Sequence, residues 1–94
     1  MTPKFEAGAA VRWTSQSQGS TKEKVGTVHA VVPVGESPID YLTKPYSSAQ
    51  IKFDKLISTT SYVRYLIAVP RGGRSVKVDY YCPRPALLQV ADRE

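Results

Sequence analysis

Tyr81 and Arg84 flank the Cys82-Pro83 pair, and upstream Arg71 and Arg74 bracket the Gly72-Gly73 dipeptide with Lys77 close behind. An aromatic face beside guanidinium groups can stack nucleobases or hold a peptide, each stacked base contributing about 1 to 3 kcal/mol. Cations on a loop tip can contact phosphates, which positions a nucleic acid without reading its sequence and makes binding fall with salt. Arg71, Arg74, Lys77, Tyr81 and Arg84 are therefore the expected nucleic-acid contacts, with Lys22 and Lys24 as accessory charge. If Val76, Val78 and Tyr80 form the inner face of their strand, then Lys77, Asp79 and Tyr81 point outward, and Tyr81 shares a neighbourhood with Arg84 and Arg64.

Other reactive residue types are poorly arranged for chemistry. His29 is the single histidine and has no cysteine or carboxylate at ligand spacing, so no metal site is expected. It alternates with Val28 and Ala30 and is expected to face away from the core. Cys82 lacks a neighbouring base and reads as a buried, inert thiol. The Arg71-Gly72-Gly73-Arg74 run precedes a strand rather than a helix N-terminus, so it is no phosphate-cradling loop. Asp40, Asp54 and Asp79 are scattered. Neither catalysis nor a cofactor is expected.

Thirteen Lys or Arg against eight Asp or Glu give a formal charge of +5, which biases the chain toward anionic partners. Ninety-four residues suit one domain, 1–94, with a single core. One cysteine excludes an intrachain disulfide, and no apolar run approaches a signal-peptide core or a membrane span, so a reducing, cytoplasmic setting is expected.

The elements that must position these residues are mainly β. Val11 and Trp13, two apart, are expected on the inner face of a first strand, with Arg12 and Thr14 outside. Ser15 to Lys24 is almost wholly polar and reads as a long loop. Val25 to Val32 forms a second strand ended by Pro33, Gly35, Ser37 and Pro38. Residues 36–61 read as an inserted excursion with some local order, in which 49–57 could be a short helix or a strand. A hairpin follows, its arms rich in β-branched and aromatic residues and joined by a tight turn at Gly72-Gly73. Tyr65, Ile67 and Val69 line one arm, and Val76, Val78 and Tyr80 line a matching face of the other. Pro83 and Pro85 exclude a central strand and favour one helical turn from Pro85, after which Leu88 and Val90 close a short strand. Residues 91–94 read as a frayed tail.

Taken together, Phe5, Gly8, Val11 and Trp13, then Val25, Gly26 and Val28, then Tyr65, Ile67 and Val69, and finally Pro85, Leu87, Leu88 and Val90 give an order that resembles small SH3-like barrels of the Tudor and KOW kind. The resemblance implies a five-stranded barrel with one helical turn before the last strand. Val11-Arg12-Trp13, Val69-Pro70-Arg71-Gly72 and Pro83-Arg84-Pro85 also make the chain similar to a group of short bacterial and phage proteins, a likeness that bears on fold and implies no chemistry.

The expected function is a non-enzymatic macromolecule-binding module, with RNA or DNA as the favoured partner. The alternative is a protein-interaction module, for instance a phage-borne or mobile-element inhibitor that docks on a host protein complex. In that case exposed Tyr41, Tyr46 and Phe53 of the excursion would make the contact. No membrane partner is expected.

Overall fold

Five antiparallel strands form one sheet in the computed structural model, which describes residues 4–17, 20–53, 59–72 and 76–91. The strands are β1 (Ala10–Ser17), β2 (Ser20–Val32), β3 (Arg64–Pro70), β4 (Val78–Tyr81) and β5 (Gln89–Val90), in the order β4-β3-β2-β1-β5. Among the described residues no β4–β5 pairing closes the sheet into a barrel.

The polar stretch 15–24 is not a loop. β1 and β2 pair continuously from Ala10↔Thr27 to Ser17↔Ser20, so residues 15–17 and 20–24 form the far half of a long hairpin, and residues 18 and 19 lie outside the described ones. A ribbon that projects beyond its neighbours needs no apolar face, and polar composition there does not exclude a strand. β2 serves both halves of the sheet, pairing with β1 up to Thr27 and with β3 from Thr27 to Val32.

A β-bulge between Val28 and Ala30 lets β2 do this. Val28 packs into the first apolar cluster with Phe5, Val11, Trp13, Tyr65, Ile67 and Leu88, but Ala30 packs with Val32, Leu42, Leu66 and Tyr80 on the opposite face. The extra residue inverts the side-chain alternation, which a bulge does by placing two residues against one. His29 is that residue. It does not face solvent as a bystander: it is half-buried, its ring meets Tyr80 edge-on at 5.2 Å, and its Nε2 lies 2.9 Å from Thr43 Oγ1.

The excursion supplies the cover for the second face. Pro38–Tyr41 and Ser48–Gln50 are 3-10 turns, the first capped by the Ser37 hydroxyl, which accepts from the Ile39 N–H at 3.3 Å. Gln50 is buried, and its side chain donates to the Val78 carbonyl at 2.8 Å and accepts from the Ser47 N–H at 3.0 Å. Lys52 N–H donates to the Tyr80 carbonyl at 2.8 Å, and Ile51 bridges Tyr80 in parallel. The β4 edge is thereby covered, which satisfies backbone groups that would otherwise template association. Leu42 is buried against this face, a contribution of about 1.5 to 3 kcal/mol for a side chain of that size. Tyr41, Tyr46 and Phe53, expected as exposed contacts, are half-buried and pack on the same cluster.

The β3–β4 hairpin also departs from expectation. β3 ends at Pro70 and β4 starts at Val78, the Arg71 N–H donates to the Lys77 carbonyl at 3.3 Å, and Gly72 has φ +84°, while Gly73 of the expected turn lies outside the described residues. Val76 is 96% exposed and lies outside β4, and Lys77 is exposed on the connection rather than on a strand. Tyr65, Ile67 and Val69 do face the first cluster. Val78 and Tyr80, however, face the second, because Tyr80 pairs with Ala68 and Val78 with Pro70. Paired residues share a face, so Tyr81, opposite Ile67, points into the first cluster and not outward.

The 3-10 turn Pro85–Leu87 precedes β5 as anticipated from the prolines, with Leu88 buried as its anchor. Ala91 N–H donates to the Ala10 carbonyl at 3.0 Å, so the start of the expected frayed tail is tied to β1, and residues 92–94 lie outside the described ones.

Candidate functional site: a cleft beside the last turn

Of the residues expected to bind nucleic acid, Lys24 and Tyr81 meet, Arg71 and Lys77 share the β3–β4 connection, and Arg84 lines a separate cleft. Arg71 Nε donates to Asp79 Oδ1 at 2.8 Å, and its Nη2 reaches the Ala49 carbonyl at 3.5 Å. It buttresses its own hairpin against the excursion. Lys24 Nζ sits 5.0 Å from the Tyr81 ring centroid, and Tyr81 meets Trp13 edge-on at 5.6 Å, so the Tyr81 face is occupied by a cation of the same chain. This contact belongs to the roof of the core. Trp13 is buried, as the two-residue spacing from Val11 anticipated. Lys22 is exposed on the β1–β2 ribbon, Lys77 on the β3–β4 connection, and Arg74 lies outside the described residues. Arg64 is buried and donates from Nη2 to the Glu36 carbonyl at 3.1 Å, so it is unavailable to a ligand beside Tyr81.

Arg84 belongs to different surroundings. With Lys4 it borders a cleft of about 810 Å³ whose walls are Val34, Ser61, Tyr62, Val63, Tyr65, Pro85 and Ala86. Three parts of the chain build it. The N-terminal segment is held by the Tyr65 hydroxyl, which accepts from the Lys4 N–H at 2.6 Å and the Phe5 N–H at 3.4 Å. The two ends of the excursion meet where Gly35 N–H donates to the Thr60 carbonyl at 3.1 Å, with Gly35 at φ +84°, and Thr60 Oγ1 donates to the Tyr62 carbonyl at 2.7 Å. Pro85 and Ala86 come from the turn before β5. Val34 is 56% exposed and Tyr62 47%, so apolar surface lies open on a braced framework. Among the described residues the lining contains two cations, Lys4 and Arg84, and no carboxylate.

The sequence signals for this cleft were weak. Tyr62 opens the run expected to form the first arm of the hairpin, although β3 starts only at Arg64, Val34 falls in the turn after β2, and nothing local announces that the root of the excursion meets the Pro85 turn. Among the described residues of the expected set, Arg84 is the one on the cleft.

Comparison with protein-family models, with curated proteins and with solved structures finds no match to this chain.

Chemistry elsewhere is sparse. Burial pushes the Cys82 thiol pKa up, partly opposed by the Arg64 guanidinium, which favours the neutral, weakly nucleophilic form. The Tyr41 hydroxyl donates to the Glu36 carboxylate, which holds the phenol above its usual pKa. Among the described residues no group of His, Cys, Asp and Glu side chains could hold a metal ion, and no helix is long and apolar enough to cross a membrane.

Proposed function

We propose that the chain is a non-enzymatic interaction module built as an SH3-like barrel, and that its cleft captures a segment of a partner protein. Support for the barrel comes from the strand order, in which β5 returns to pair with β1, from the bent β2 shared between both halves, and from the 3-10 turn just before the last strand. The observation that carries the function is the cleft itself: apolar walls of Val34, Tyr62, Val63, Pro85 and Ala86 with Lys4 and Arg84 at the border. Such a lining rewards burial of apolar side chains, while its two cations, with no carboxylate beside them among the described lining residues, select carboxylates in the occupant. The occupant is an extended peptide segment with apolar anchors next to Asp or Glu.

The nucleic-acid reading loses ground because two of its cations are engaged within the chain: Arg71 is paired with Asp79 and Lys24 covers Tyr81. The protein-docking reading survives on a different surface, since Tyr41, Tyr46 and Phe53 pack on the second cluster. Selection of a displayed peptide library on the purified protein, run beside anisotropy titrations of single- and double-stranded RNA and DNA at low and near-physiological salt, separates the two. Enriched peptides combining aromatic or aliphatic residues with acidic ones are expected, together with nucleic-acid binding that disappears at the higher salt. Saturable nucleic-acid binding that persists in salt, with no peptide enriched, would reverse the assignment.

A further inference from the structure

β1 offers a second element of recognition that continues from the cleft. β5 pairs only with Val11 and Arg12, and the Ala91–Ala10 hydrogen bond extends that contact by one step. β1 runs on to Ser17, and among the described residues no strand lies beside it on this side past Arg12. Backbone groups alternate between the neighbours of a strand. The Ala10 carbonyl points to the β5 side, so those of Thr14 and Gln16 point to that side too, where β5 does not reach. The chain leaves this position because Pro85–Leu87 turns away before Leu88 enters the core.

A slot of about 190 Å³ marks the place, lined by Arg12, Trp13, Thr14, Glu23, Leu87 and Gln89 with Ala86 at its end. Ala86 lines the apolar cleft as well, so the two depressions share one small, exposed residue.

Resting on the peptide-binding reading of the cleft, we infer that the captured segment crosses Ala86 and adds as a strand to β1, bonding to the backbone of Thr14 and Gln16. The cleft takes its side chains and β1 takes its main chain, the division of labour of strand addition to a sheet edge. The partner segment is therefore extended, and its recognition on β1 is independent of side-chain identity.

Thr14→Pro tests this. It removes an N–H that bonds no other strand among the described residues, and proline is tolerated at such an edge position. The variant is expected to keep the wild-type amide spectrum while binding a library-selected peptide about tenfold more weakly, the scale of one or two lost backbone bonds. Thr14→Val, which keeps the N–H, should bind as wild type. A scan of the same peptide with N-methylated residues needs no protein variant and should lose affinity at every second position of the segment beyond Ala86. Wild-type affinity in Thr14→Pro and no period-two pattern in the scan would overturn strand addition. If Tyr62→Asp still abolished binding, the cleft reading would stand without it.

Discussion

Gly26→Ala is expected to destabilise the protein by about 1 to 3 kcal/mol, the cost of overpacking a filled site, out of a total of about 5 to 15 kcal/mol for an ordinary domain. A Cβ at Gly26 would lie 2.7 Å from the Ala68 carbonyl oxygen, 2.8 Å from Ile67 Cγ2 and 2.9 Å from Val69 Cγ2. One of these is backbone and cannot swing aside. Gly26 pairs with Val11 just before β2 transfers from β1 to β3, and the missing side chain lets β3 approach at the bend. The sign makes the test informative, since alanine in place of glycine at an unobstructed strand position stabilises slightly. The midpoint of denaturant unfolding should fall with little change in slope. An unchanged or higher midpoint would mean that β2 and β3 are not pressed together there.

Tyr62→Asp is expected to weaken binding of a selected peptide by about 2 kcal/mol or more, roughly thirtyfold, as for an interface aromatic at a hot spot. Two effects act in one direction. The ring that walls the cleft is lost, and a carboxylate is added beside Lys4 and Arg84, reducing the attraction for an acidic segment. Because Tyr62 is partly exposed and its carbonyl, not its ring, accepts the Thr60 hydroxyl, folding should be little affected. Calorimetric titration of both proteins with the same peptide reads the change, and Val34→Asp should behave alike. Full affinity in both variants would remove the cleft from consideration.

Much of the fold was legible because local patterning and tertiary burial agree. Val11 and Trp13 at strand spacing are buried as their alternation requires, and Pro85 starts its turn where its fixed φ and missing N–H favour one. Legibility failed wherever a second layer intervened. Leu66 and Tyr80 belong to a face that the excursion covers, so β3 is buried on both sides and simple alternation assigns Tyr81 and Tyr80 to the wrong faces. The bulge at His29 changes the phase of β2 without any glycine or proline to signal it. The site was harder still. Arg71 and Arg84 look equivalent in sequence, yet one meets Asp79 across its hairpin and the other borders an open cleft. That difference depends on which segments the fold brings together, above all Val34 and Tyr62 at the root of the excursion.

Amide chemical-shift mapping tests the central claim most directly. Isotope-labelled protein titrated with a library-selected peptide should show its largest shifts at Val34, Tyr62, Val63 and Ala86, with that of Lys77 nearly unmoved. Shifts concentrated instead at Lys22, Lys24 and Lys77, with the cleft silent, would contradict the account and return the basic residues to the centre of the function.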